Sequence, residues 1–415
     1  MGGPGPRNRT GTVPVLDGLR VISALVVLFH HTGTLDEDLW DPKALRRETR
    51  ALQAHNLGSD GLFPHLIGVG PGRVAVEVFL LIAGFVAAHG LFHRIGVECN
   101  DVDSFAQRIG HAVYKTQGSL MKRFWRLALP LIPVQLLHFV LWSERLAYGP
   151  YLSFPSEEVV YKSYEVGIAG IWSSALSGSL WIMEPLFFAP FVALAMQVTV
   201  VGRAPRTRGL WYLMCCLYFS GNFQEPTISP YISVSIGVAL ADLYNHVHEQ
   251  EIWLKLRVFL LVVSLIFVGI TWYPGSSYGA PYSRIATASG IVFWSLYAPK
   301  IFQLPLDNCI MKFCSKFAYQ LYIWHLLIMC IFSVNVQPTS SKFALYVGGF
   351  AACFATSVVA YYLFEYPSNR FGVWFSKVVL GDKEGSTKPE KVIAGQDEEK
   401  ACSYVSDPVR VAVGA

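Results

Sequence analysis

The sequence predicts an all-α protein, a polytopic transmembrane bundle of about ten membrane-spanning helices. Three observations carry that expectation. Hydrophobic residues make up 53% of the chain and charged residues only 15%. Mean hydropathy is +0.39, which is too apolar for an ordinary soluble protein. Apolar runs near the length needed to cross the hydrocarbon core, about 20 residues, recur along the whole chain. The net charge of +4 is too small to point to nucleic acid, so the placement of the charges matters more than their sum.

The first run, Val15 to Gly33, contains LDGLRVISALVVLFHH and carries Asp17, Arg20, His30 and His31. The second, Val74 to Phe92, opens with VAVEVFLLIAGFV, with Glu77 among valines and phenylalanines and Gly84 further on. The third, Phe124 to Trp142, follows LMKRFWR, and the fourth is Leu180 to Val201. The fifth, Leu210 to Ser220, is short, so the charge distribution has to test it. Ile228 to Tyr244, Leu256 to Tyr273 and Ile285 to Phe302 are plain apolar runs. The ninth, Phe317 to Val334, holds Tyr319, Tyr322 and His325, and the tenth, Phe343 to Phe364, leads into FEYPSNR.

With all ten spans and a cytoplasmic amino terminus, the larger share of Lys and Arg falls on the cytoplasmic side, and both termini lie inside. The cleanest signal is GRAPRTRG between spans four and five, with three arginines facing a next loop, NFQEPT, that has none. The expected organisation is a short cytoplasmic tail over 1–14, a transmembrane domain over 15–370 and a cytoplasmic, disordered tail over 371–415. The polar stretch DKEGSTKPEKVIAGQDEEK, poor in large apolar residues, supports the tail. No removable signal peptide is expected, because no basic n-region and cleavage site precede Val13. No internal repeat of the kind many transporters show is visible. The eight cysteines form no Cys-x-x-Cys pair, and Cys215, Cys216, Cys330 and Cys353 lie in apolar runs as small hydrophobes.

Ionisable groups inside a span are costly and usually face a bundle interior or a watery cavity. Residues eleven apart on a helix differ by only about 20° in direction, so Arg20 and His31 share one face three turns apart. His30 points about 80° the other way. Arg20 could instead snorkel to headgroups while the histidines cap the far interface. Glu77 needs a cationic partner, and Arg20 or a histidine would serve. Arg123 and Arg126 stand one turn apart at the expected cytoplasmic boundary, where two guanidiniums suit a diphosphate or ribose phosphate. Positive-inside anchoring explains them too. An aromatic belt accounts for Tyr319 and Trp324, but not for the deeper His325. Glu365, Pro367 and Arg370 read as a helix-ending salt bridge. His89 and His93 have metal-ligand spacing, yet no acidic or cysteine partner in their segment, so they read as interface histidines and no metal site is expected.

Taken together these stretches resemble the acyltransferase-3 family of integral membrane O-acyltransferases, in a form typical of fungal sequences. The resemblance runs from Leu16 to about Arg370 and rests on five markers. They are LDGLR, the Arg-x10-His spacing of Arg20 and His31, VAVEVFLLIAGFV, the Arg-x-x-Arg of RFWR followed by Pro130, and the Tyr-x-x-His piece ending in His325. It implies a bundle of ten or so helices that moves an acyl group, commonly acetyl from acetyl-CoA, onto a hydroxyl. Acyl-CoA would then be a donor substrate, with no permanently bound cofactor. His31 would be the base, with His30 as its competitor. Arg20 would bind donor phosphates or the developing oxyanion, Arg123 and Arg126 would hold the nucleotide end, and Glu77 would orient an arginine or histidine. His325 completes the candidate catalytic set. Two departures stand out: Ala83 replaces the usual serine before Gly84, and LWIMEPLFF is a loose form of a family motif that leaves Glu184 in doubt. The expected partners are acyl-CoA, the lipid bilayer, and a hydroxylated small-molecule or sugar acceptor, a secondary metabolite first. Acylation of a surface polysaccharide and a proton- or anion-coupled transporter are the alternatives.

Overall fold

The computed structural model describes residues 13–38, 69–98, 105–143, 182–200, 203–221, 229–249, 258, 261–262, 281–335 and 342–380. Every regular element among them is helical. In chain order they are α1 (Pro14–Asp38), α2 (Val69–Glu98), α3 (Phe105–Ser143), α4 (Met183–Val198), α5 (Pro205–Gly221), α6 (Ser229–Glu249) and α7 (Pro281–Tyr297). Two short helices follow, α8 (Lys300–Gln303) and α9 (Cys309–Ser315), and then α10 (Ala318–Asn335) and α11 (Lys342–Ala360). A π-turn over Tyr361–Glu365 leads into α12 (Tyr366–Leu380). Nine of the ten expected spans fall on these helices, and the seventh, Leu256 to Tyr273, lies almost wholly outside the described residues.

Pro14 is the first residue of α1, where a missing N–H costs nothing. The helix that holds the bundle together is α2. It packs against α1, α4, α6 and α7, and its apolar stretch Val74–Leu91 is largely enclosed. Against α6 it runs parallel and in register. Ser233 reaches Glu77 near one end and Asn245 reaches His89 near the other, with the same separation in sequence. Between these contacts the two backbones nearly touch. A β-carbon at Gly84 would overlap the carbonyl of Val234, and one at Gly237 would overlap that of Leu81. Small residues at such a crossing let helices associate by close backbone approach, as membrane helices commonly do.

The next helices alternate in direction. Ala112 near the start of α3 packs with Leu194 and Val198 at the end of α4, while Arg123 meets Leu186 near the start of α4. Arg208 in the first turn of α5 pairs with Asp242 toward the end of α6 at 2.9 Å. Large apolar side chains on α5 face outward, among them Leu210, Leu213, Met214 and Leu217, as do Val347, Val359 and Leu363 on α11 and its continuation. A water-soluble surface rarely exposes so much contiguous apolar area, whereas lipid contact favours it. Two stretches among the described residues are long and apolar enough to cross a membrane, Val74–Leu91 and Val347–Leu380.

Two expectations are corrected here. The last helix does not end at the Glu365, Pro367 and Arg370 group, and residues 371–380, expected in the tail, are helical. Proline inside an α-helix removes one hydrogen bond and collides with the carbonyl four residues earlier. The π-turn shifts that ladder by one residue, with the N–H of Tyr366 bonded to the carbonyl of Tyr361, so the chain passes Pro367 and continues as helix. Second, α3 begins well before Phe124. Its polar first half does not register as an apolar run. It is covered by α12, whose Phe371 and Phe375 pack edge-on against Trp125 and whose Gly372 lies over Lys122 and Trp125. The hydroxyl of Tyr114 ties the two helices again by donating to the Leu380 carbonyl at 3.0 Å.

Candidate active site

Arg20, Arg123 and Arg126 come from α1 and α3, and their charges act on one another. Each has one tether. Arg20 donates to Asp17, one turn earlier on α1, at 2.9 Å. Arg126 donates through Nε to Glu365 at 3.0 Å. Arg123 donates through Nη1 to the Leu186 carbonyl of α4 at 3.1 Å. That carbonyl is free to accept for a reason legible in the chain: its intrahelical partner would be the N–H of residue 190, and residue 190 is a proline. The proline thus turns a helix carbonyl into an acceptor that fixes an arginine.

The pair Arg123 and Arg126 lies midway along α3, beside the first turn of α10 and the π-turn that follows α11. Ala112 shares a cluster with Leu91 near the end of the apolar stretch of α2. Arg123 lies eleven residues further along the same helix, about 16 Å from Ala112. Beside the pair, Tyr319 of α10 donates its hydroxyl to the Leu127 carbonyl at 3.0 Å and lies 3.6 Å from the sulfur of Met183. Trp324 is buried and donates Nε1–H to Gln320 Oε1 at 3.2 Å. Both aromatics therefore point into the bundle and do not form an aromatic belt.

Glu365 does not pair with Arg370. In the structure it is buried between α3 and α10, with Arg126 on one oxygen and Gln320 Nε2 on the other at 2.9 Å. Arg370 instead stacks over the ring of Tyr366. Sequence reasoning missed Gln320 and misassigned Glu365, since the partners lie on other helices. The one available signal was a carboxylate at the end of a membrane span without an obvious mate.

His325 is buried on α10 beside a cluster that includes Val21, Ala24 and Leu28 of α1 and Cys353 of α11. Its Nδ1 lies 2.6 Å from the Tyr322 carbonyl, which can only accept, so Nδ1 carries a proton. Glu77 is buried elsewhere on α2. Ser233 of α6 donates to it at 2.5 Å, and Arg284 of α7 acts on it electrostatically. Among the described residues its partners are therefore Ser233 and Arg284 rather than Arg20. The backbone of α1 runs through His30 and His31, and their side chains lie outside the described residues, as does that of His93. His89 is buried and stacked on Phe85 rather than set at an interface. Glu184 accepts a hydrogen bond from Tyr231 at 2.8 Å, which joins the first turns of α4 and α6. Among the described residues no group of three or more His, Cys, Asp or Glu is placed to hold a metal ion.

A helical bundle with lipid-suited outer faces thus brings together three arginines, Arg20, Arg123 and Arg126, whose charges act on one another. The acyltransferase domain family, Acyl_transf_3, matches residues 13–362, so the chain belongs to the acyltransferase-3 family of membrane acyltransferases. Comparison with curated proteins and with solved structures gave no match.

Proposed function

We propose that this protein is a multi-pass O-acyltransferase that moves an acyl group, acetyl in the first instance, from acyl-CoA to a hydroxyl of a small-molecule acceptor such as a secondary metabolite. The observation that carries the reading is the convergence of Arg20, Arg123 and Arg126. A guanidinium has five N–H donors, and each of these three commits one to a tether within the protein. The remaining forks suit the phosphates of CoA, for which planar bidentate donors are preferred.

The chemistry needs a base. An alcohol is a poor nucleophile near neutral pH until its proton is removed. His31 takes that role in the proposal, because imidazole titrates near working pH and the residue shares a helix face with Arg20. As the oxygen attacks the thioester carbonyl, His31 accepts the hydroxyl proton and a tetrahedral oxyanion forms. Arg20 stabilises that charge. On collapse the carbon–sulfur bond breaks, and CoA leaves as the thiol with the proton from His31. His325 and Glu77 lie in the same bundle, one as a second imidazole and one as a buried carboxylate that orders α2, α6 and α7. Both termini are cytoplasmic in this proposal, the side where CoA is available.

The test is transfer of label from radiolabelled acetyl-CoA to a panel of hydroxylated small molecules by purified protein in detergent. Labelled ester formed with at least one acceptor supports the reading. Absence of both transfer and hydrolysis by folded protein, with anion flux in proteoliposomes, would replace it with a transporter.

A further inference from the structure

The pair Arg126 and Glu365 has an uneven geometry. Glu365 is 3% exposed and Arg126 is 49% exposed. An arginine and a carboxylate left to themselves form a fork with two parallel hydrogen bonds. Here only Nε of Arg126 is bonded, to Oε1, because Gln320 holds Oε2. Gln320 is fixed in its turn: Trp324 donates to its oxygen, which sets the amide with its nitrogen toward Glu365. This relay leaves both terminal nitrogens of Arg126 outside the hydrogen bond to Glu365. The π-turn supplies the last piece, since Glu365 is its final residue and is turned inward toward α3 while Tyr362 and Leu363 face out.

We propose that Glu365, held by Gln320 and Trp324, is a positioning residue that presents the terminal nitrogens of Arg126 to the phosphate groups of the acyl-CoA donor. It lies outside the matched family region, which ends at residue 362. The proposal rests on the reading of the arginine site as the donor site. Glu365 touches no substrate and acts through Arg126, so its loss weakens donor binding without disabling the acyl-transfer step.

The test uses the full chain in detergent with acetyl-CoA as the probe, comparing wild type, Glu365→Gln, Arg126→Ala and the double variant. Glu365→Gln should raise KM for acetyl-CoA about tenfold, with kcat within about twofold of wild type, and should add nothing once Arg126 is alanine. Gln320→Leu keeps the ion pair but frees Oε2, so Arg126 can close into the two-bond fork; it should also raise KM and keeps the proposal testable if Glu365→Gln does not fold. An equal fall in kcat and kcat/KM for Glu365→Gln would overturn the proposal, as would a full-sized effect in the Arg126→Ala background. Wild-type protein that binds no acetyl-CoA would overturn the donor site itself, an outcome distinct from additive variants in a protein that binds it.

Discussion

Arg123→Lys separates two duties that one guanidinium performs together. Arg123 satisfies the Leu186 carbonyl through Nη1 and has four N–H donors left. A lysine can keep the charge and still donate to that carbonyl, so α4 stays satisfied at its proline. One ammonium held there cannot also present a planar fork to a phosphate. A hydrogen bond to a charged group contributes about 1.5 to 3 kcal/mol. Loss of one such bond weakens binding by about 10- to 150-fold. Stability should change little, since charge and acceptor are both served. The assay is titration calorimetry of acetyl-CoA with detergent-solubilised wild type and variant at fixed salt, beside a thermal melt. Equal affinity for wild type and Arg123→Lys would refute the assignment of this side chain to the donor, whatever the melting temperature.

Three further outcomes follow from the packing. Pro190→Ala restores an N–H to α4 that competes with Arg123 for the Leu186 carbonyl; by helix propensity alone it gains up to about 3 kcal/mol, so the variant should melt no lower than wild type while binding acetyl-CoA several-fold more weakly. Gly237→Leu should lower the melting temperature sharply, because even a β-carbon there overlaps the Leu81 carbonyl, whereas Gly90→Ala, with open space around it, should not. Ser233→Ala removes the hydroxyl that serves the buried Glu77 and should cost about 1 to 3 kcal/mol in a denaturant titration.

What was legible in the chain is what depends on local period and composition. The apolar runs mark nine helices that the structure describes. The one-turn spacing of Arg123 and Arg126 follows from helix geometry, but their tethers, the Leu186 carbonyl and Glu365, lie on distant parts of the chain. Pro367 looked like a stop because proline ends α-helices; the π-turn that lets the chain pass it is a tertiary accommodation, with Glu365 anchored on two other helices. Glu77 advertised its need for a partner, yet nothing local distinguishes Ser233 and Arg284 from other polar residues. The tie between Arg123 and α4 could have been anticipated in part, since Pro190 reveals that a carbonyl four residues earlier lacks its usual donor.

The account stands or falls on acyl transfer with His31 as the proposed base. The most direct measurement is release and transfer of label from radiolabelled acetyl-CoA by wild type, His31→Ala and His30→Ala, all purified and shown to be folded. The account predicts turnover by wild type and His30→Ala and none by His31→Ala. Turnover retained by His31→Ala and lost by His30→Ala would contradict it.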